Sequence, residues 1–403
     1  MISARSAAQA TLLVIASALL ILLSPPPPEF QRPLICADVR FIGKYAHVLV
    51  NCDAESFVEL ARSPEGVFGT SSPRQTRPGY AVLGWMLSWP FRWIPGADPY
   101  YSGYVALNLA LMILSTMMLS SLIGAPRLLA PAAIVPTCIL LVNHITKAFL
   151  WTPHQQVLGL FVSMLSIWAA REVIRREKTP GINGALLTGL ITGIACLVYG
   201  AFILAAASMT IALLLYRKLD RGRKLMLTLS LWASAAIPLI TWRSYVLAKT
   251  GGFYSHETGY YHEFVWMSER WRDGTLWSST LHNIAAFAGT IPRALALPIA
   301  FLGAALALAA AGKRISTSTR QDTAIQASIA FLIAAIPFYG LMGFYDPRLT
   351  ASLIPPLVVI IGSVTRDSLS RERPGKHPLL PEPVTLAAIA YVALVILIPG
   401  PYA

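Results

Sequence analysis

Eleven stretches of mostly apolar residues limit what this chain can become: 8–24, 100–123, 128–143, 155–171, 182–197, 199–216, 225–247, 284–311, 324–343, 349–365 and 383–399. A helix that crosses a bilayer needs about 20 such residues, and only helices and closed barrels satisfy their own backbone there. Charged residues make up 13% of the 403 positions and hydrophobic ones 55%, where a soluble domain carries about 25% charged. The expected fold is an all-α polytopic membrane protein, a single transmembrane domain over residues 1–403. Residues 11–23 resemble a signal-peptide core, but "SPPPPEF" follows without a small-residue cleavage site, so a retained first helix is expected.

The loops set the orientation. "REVIRREK" (171–178), "YRKLDRGRK" (216–224), "GKRISTSTRQD" (312–322) and "RDSLSRERPGKH" (366–377) are basic and read as cytoplasmic. Their remaining role is contact with anionic lipid. "GYAVLGWMLSWPFRWI" (79–94) is apolar enough to count as another span, but counting it would turn all four basic loops outward. It reads instead as an interfacial helix anchored by Trp and Arg. About eleven crossings follow, with the N-terminus inside and two large external loops, 25–99 and 249–283. The net charge of +13 then belongs to topology, and no soluble basic stripe points to nucleic acid.

Acids are scarce, 19 in the whole chain, yet "NCDAESFVELA" (51–61) groups Asp53, Glu55 and Glu59 in the first external loop. Asp53 suits an N-cap, with Phe57, Leu60 and Ala61 on one helical face. Phe57 and Ala61 are expected against the membrane, Glu55 and Glu59 in solvent. A carboxylate at that position is a candidate general base for a sugar- or lipid-borne hydroxyl; the bland reading is a cap alone, and Asp38 in "DVRFIGKYA" is its rival. Cys36 and Cys52 share this loop with 15 residues between them, so an external location permits a disulfide but does not require one. Cys138 and Cys196 lie in apolar runs as packing residues. No His/Cys cluster has zinc-like spacing.

D-x-x-x-F-x-x-x-A (Asp53, Phe57, Ala61) followed by "RPGYAVLGWML" (77–87) resembles the GT-C class of integral-membrane glycosyltransferases. "GLITGIACLVYGAFIL" (189–204) is similar to that class's Gly-rich paired-helix segment, with Tyr199-Gly200 where a basic residue with Pro or Gly is common. "FYDPRLTASLIPPLVVIIG" (344–362) is similar to a late segment in which Arg precedes a Pro-containing helix. The resemblance covers the layout of the whole chain through loosely specified motifs. It implies a GT-C-like bundle with interfacial helices in the first external loop. Its implied activity is transfer of a sugar, a pentose such as arabinofuranose among the options, from a polyprenyl-phosphate donor to a glycan, lipid or protein acceptor. The site faces the extracytoplasmic side of the inner (plasma) membrane. The acidic pair of metal-using members is replaced here by His144, Lys147 and His154 in "NHITKAFLWTPHQ" (143–155). A metal-independent monophosphate donor is the expectation, without excluding a divalent cation.

Asp53 is then the base of an inverting displacement, and cations hold the departing phosphate: Arg348 first, then Lys147 and His154, then Arg74 and Arg77. Arg348 could equally anchor at the interface beside Asp346, and Lys147 and His154 could snorkel at helix ends. Loop 249–283 is rich in aromatics around His256 and Glu257. Its Tyr260, Tyr261, His262 and Glu263 suit an acceptor, though an interfacial belt uses the same residue types. Two other functions compete. A lipid-linked oligosaccharide ligase or polymerase is expected to use Arg and His in a larger late loop. A transporter is expected to show matched halves with charges near mid-membrane, whereas the polar residues here gather at one face.

Overall fold

The computed structural model describes residues 4–25, 35–41, 46–69, 74–125, 127–175, 181–215, 219–311, 322–369 and 381–398. The "PPPP" spacer and most of the basic loops 312–322 and 366–377 lie outside these residues, as do the ends of 171–178 and the start of 216–224. The protein is a helical membrane protein. Among the described residues six helices or helical stretches are long and apolar enough to cross a bilayer: Pro99–Ile123, Gln156–Arg175, Arg221–Thr250, Leu276–Ala307, Thr323–Gly340 and Pro347–Asp367. Five shorter apolar helices, Ser6–Ile21, Pro131–Leu141, Ile182–Cys196, Gly200–Leu215 and Val384–Leu397, accompany them.

In chain order, α1 is Ala4–Ile21, followed by a β-hairpin of β1 (Ile35–Phe41) and β2 (Ala46–Asn51), then α2 (Asp53–Arg62) and α3 (Pro78–Ser88). The bundle continues with α4 (Pro99–Ile123), α5 (Pro131–Leu141), α6 (His144–Phe149), α7 (Gln156–Arg175), α8 (Ile182–Cys196), α9 (Ile203–Leu215) and α10 (Arg221–Thr250). Two short helices follow, α11 (His256–Gly259) and α12 (Val265–Arg272), and then the long α13 (Leu276–Ala311). The last four are α14 (Thr323–Gly340), α15 (Pro347–Thr350), α16 (Ile354–Leu369) and α17 (Pro381–Leu397).

Three expectations need correction. The loop 25–99 holds a two-stranded antiparallel sheet, with Val39 opposite Val48 and Phe41 opposite Ala46. Phe57 and Ala61 are buried against protein rather than lipid: the Phe57 ring meets Tyr80 at 4.9 Å and Tyr104 at 6.5 Å. Cys52, not Asp53, stands at the N-cap, because its own backbone is already helical. Asn51 Oδ1 instead accepts the Asp53 N–H at 2.9 Å. The segment 79–94 forms α3 and a 3₁₀ turn over Trp89–Trp93, with Trp85, Trp89 and Trp93 exposed.

Without water between them, membrane helices associate through close packing, and small residues permit that approach. Gly189 and Gly193, one turn apart on α8, do this against α10. A Cβ on Gly189 would lie 2.2 Å from the Leu231 carbonyl oxygen, and one on Gly193 would lie 2.2 Å from that of Ala235. Gly84 of α3 likewise admits the Tyr104 ring of α4, whose hydroxyl donates to the carbonyls of Phe57 and Tyr80, both at 3.2 Å. At the far ends of α4 and α7, Arg366 binds Asp322 at 2.7 Å and the Ile123 carbonyl at 2.8 Å. Arg171 donates there to the Ser121 carbonyl. Two of the basic residues read only as topology signals thus also tie helix ends together.

Gly193→Val forces α8 away from α10 and should destabilise the fold by about 1–3 kcal/mol. A lowered thermal unfolding midpoint in detergent is the expected result, and an unchanged one means the two helices do not touch there.

Candidate functional site

Asp53 opens α2, where the helix dipole favours an anion, and its side chain is 51% exposed. Arg74 Nη2 lies 3.2 Å from one carboxylate oxygen and His154 Nε2 lies 3.4 Å from the other. The His154 tautomer follows from its neighbours. Nδ1 accepts the Gln156 backbone N–H at 3.2 Å, which leaves the proton on Nε2 to face Asp53. The ring is stacked on Phe149, centroids 4.5 Å apart, and meets Phe57 edge-on. Burial pushes the imidazole down to about 4 despite the carboxylate, so His154 is neutral at pH 7. The hydrogen bond from His154, with Arg74 and Arg348 as surrounding charges and His154 adding its own only where it is protonated, pulls the Asp53 carboxyl down to about 2 against the opposing effect of burial.

Arg74 completes the wall. Its guanidinium sits 4.3 Å from the Phe57 ring centre, and its Nε is buried with no hydrogen-bond partner among the described residues. Arg348 enters from α15. Asp346 accepts from Arg348 Nε at 2.6 Å and from its backbone N–H at 2.8 Å, with Nη2 at 2.5 Å. The guanidinium is held in place before any ligand arrives, within the field of Asp53.

Arg77 points to the second loop. Its Nη2 is 2.8 Å from Glu257 and its Nη1 donates to Gln155 Oε1 at 2.8 Å. Thr76 donates to the other Glu257 oxygen at 3.0 Å. Gln75 is buried between them: its amide donates to the Val67 and Gly69 carbonyls, and its oxygen accepts the Tyr254 N–H at 2.6 Å. The Trp242 indole closes the set on the Gln75 carbonyl at 2.8 Å. The two loops 25–99 and 249–283 are therefore clamped together over the Asp53 cluster.

Of the acceptor candidates, Tyr261 rests on Phe344, centroids 4.3 Å apart, in the combined field of Asp53, Arg348 and Arg74. Tyr260 is exposed and stacked on His256. His262 and Phe264 both have positive φ, 52° and 58°, a conformation rare outside glycine. Between them burial and the nearby Glu257 raise Glu263 to about 7, with Arg77 opposing. His262 pairs with Glu269 at 3.3 Å.

Lys147 does not join the cluster. Its ammonium donates to the carbonyls of Val395 and Ile396, 3.0 and 3.3 Å away, and to that of Ile398. It caps α17, whose last carbonyls have no helical partners. The pairing Cys36–Cys52 is present as a disulfide, so the hairpin is closed at the residue before Asp53. The side chain of Asp38 lies outside the described residues, with its backbone opposite Leu49 in the hairpin. Glu55 and Glu59 are exposed. Among the described residues no three His, Cys, Asp or Glu side chains gather as a metal site.

Sequence reasoning passed over Gln75, Glu257 as the partner of Arg77, and Asn108. Asn108 is buried in α4 and donates to the carbonyls of Phe149, Leu150 and Thr152 at 3.0–3.3 Å. A lone amide in an apolar span was its signal. Pro347, the chain neighbour of Arg348, lines with His144 and Arg293 a mostly apolar cavity of about 610 Å³ between α13, α16 and α17.

Compared with protein-family models, with curated proteins and with solved structures, the chain matches none.

Lys147→Met removes three hydrogen bonds to a charged donor. With each such bond worth about 1.5–3 kcal/mol, it should lower the unfolding midpoint by several degrees while leaving the Asp53 cluster intact. A Lys147→Met protein as stable as the wild type would remove the capping role.

Proposed function

We propose that the chain is an inverting membrane glycosyltransferase that moves a sugar from a polyprenyl phosphate to an acceptor hydroxyl. In this reading the six long and five shorter apolar helices are about eleven crossings of the inner (plasma) membrane, with the N-terminus inside. The Asp53 cluster then faces the extracytoplasmic side. One observation carries the reading: a half-exposed carboxylate, ionised and aimed by a neutral imidazole, stands among Arg74, Arg348 and Tyr261 at one end of the bundle.

The acceptor oxygen attacks the anomeric carbon, the bond from that carbon to the phosphate oxygen breaks, and the hydroxyl proton passes to an Asp53 oxygen. Arg348, fixed by Asp346, and Arg74, with its unpaired Nε, stabilise the charge that grows on the leaving phosphate. The lipid tail fits the apolar cavity beside Pro347, with Arg293 as a further cation in its lining. His154 serves as the orienting group for Asp53 rather than as a phosphate ligand, since it is neutral and its Nε2 faces the carboxylate. Arg77 acts through Glu257 and Gln155 as the loop clamp. Lys147, occupied by α17, has no part in the chemistry.

Incubation of the purified protein with a panel of polyprenyl-phosphate sugars and candidate acceptors should release the lipid phosphate. Asp53→Asn should cut that release by about 10²–10⁴-fold, the usual weight of general-base catalysis, with little change in unfolding temperature. Undiminished release in Asp53→Asn would end the base role.

The pH profile gives a second test. Asp53 stays ionised down to about 2, so the acid limb should lie near pH 4, where His154 gains its proton and loses its bond from Gln156. His154→Asn should move that limb, and any inflection near pH 7 belongs to Glu263 and should vanish in Glu263→Gln. A limb near 4 that survives His154→Asn would assign it elsewhere.

A further inference from the structure

Beside the clamped loops a second cavity, about 390 Å³, opens between α12 and the first turns of α13. Its inner wall is Tyr261 and Trp266, and its outer wall includes Ser279, His282 and Asn283. This volume lies in the range that holds a small organic ligand. The walls are rigid. The Trp266 indole is buried and donates to the Leu341 carbonyl at 3.0 Å, and Gly343, at φ 92°, lies so close that a Cβ there would be 2.6 Å from the indole.

The first turns of α13 are two-faced. Trp277, Leu281 and Ile284, spaced four and three residues apart, are 80%, 64% and 48% exposed. Ser278, Ser279, His282 and Asn283 occupy the other side and line the cavity. In a membrane helix an exposed apolar stripe meets lipid and the polar stripe turns to protein, to a water-filled cavity or to a ligand. Among the described residues the side chains of Ser279, His282 and Asn283 have none. The charged groups at the rim already have partners, Arg270 with Asp273 at 3.6 Å and Glu269 with the His262 ring at 3.3 Å. What remains are serine hydroxyls, an amide and an imidazole facing two aromatic surfaces. Those are the groups that bind a sugar: hydroxyls bond to amide, imidazole and serine, while the C–H faces lie on indole and phenol.

We infer that this cavity is a binding site for a neutral glycan, with Ser279, His282 and Asn283 of α13 reading its hydroxyls and Trp266 and Tyr261 its ring faces. The inference rests on the transferase reading for the glycan's part as acceptor: Tyr261 lines the cavity and also stands in the field of Asp53, Arg348 and Arg74. In that reading a ring held there supplies the acceptor hydroxyl. The acceptor of the three classes left open is then a carbohydrate, and α13 is the element that selects it.

The test is equilibrium binding, which requires no turnover. The full chain in nanodiscs is titrated calorimetrically with neutral tetrasaccharides of glucose, mannose, galactose and arabinose up to millimolar concentrations. At least one should bind. Asn283→Ala and His282→Ala should each weaken it about tenfold or more, equivalent to about 1.4 kcal/mol, and Ser279→Trp should abolish it by filling the cavity. Trp277→Ala, on the lipid side, should bind as the wild type does. Separate variants at positions 279, 282 and 283, each checked for monodisperse elution, keep the result readable if one of them misfolds. No binding by any tetrasaccharide, or binding indifferent to all three changes, overturns the inference. Binding with these sensitivities but no sugar transfer sinks the transferase alone; transfer indifferent to these residues sinks the glycan site alone.

Discussion

Irregular backbone beside apolar helices persists only where side chains satisfy its peptide groups, and Asn108 does this for the turn that delivers His154. Its amide spans the carbonyls of residues 149, 150 and 152. The next residues are thereby held so that the Gln156 N–H meets His154 Nδ1. That single contact decides which imidazole nitrogen carries the proton, and therefore whether Asp53 receives a donor or faces a competing lone pair. Gln75 does similar work for the segment that supplies Arg74, Thr76 and Arg77. Lys147 seals the end of α17. The cluster is aimed by two buried amides that never touch it.

Hydrophobic length made most of the bundle legible. The long helices Pro99–Ile123, Gln156–Arg175 and Thr323–Gly340 lie close to the apolar runs that announce them, and "GLITG" became a contact of glycines with the α10 backbone. Other features depended on information that periodicity lacks. The β-hairpin is short and its register is closed by the disulfide between Cys36 and Cys52, a long-range fact. The first turns of α13, at 276–283, carry Ser, His and Asn, so hydropathy placed them in the loop although they continue the helix. Phe57 and Ala61 have the spacing of an apolar face, but spacing does not say whether lipid or protein lies opposite. Here Tyr80 and Tyr104 do.

Within the site, residue type was a better guide than order along the chain. Asp53, Arg74, His154 and Arg348 come from four separate segments, and charge in an otherwise apolar protein was enough to single each of them out. The division of labour among them was not readable. Lys147 and His154 lie within one short segment, yet one faces the end of α17 and the other faces Asp53, because α6 ends between them at Phe149. Glu257 looked like any surface acid until its two oxygens were seen shared between Arg77 and Thr76.

In the proposed transfer, a carboxylate held near 2 is a weak base in the ground state. A neutral alcohol would not give up its proton to it. The acceptor oxygen changes character as it bonds to the anomeric carbon, since an oxygen carrying carbon, sugar carbon and proton is cationic and far more acidic than any carboxylic acid. Proton transfer is then downhill late in the reaction, even to Asp53. In the proposed transfer the same cations that lower its basicity, Arg74 and Arg348, also stabilise the negative charge on the departing phosphate. A more basic carboxylate would need those arginines further away, which would weaken the phosphate side. The arrangement trades proton affinity, which is needed only after the bond has begun to form, for electrostatic stabilisation throughout, and a group already ionised avoids reorganising when the charge moves.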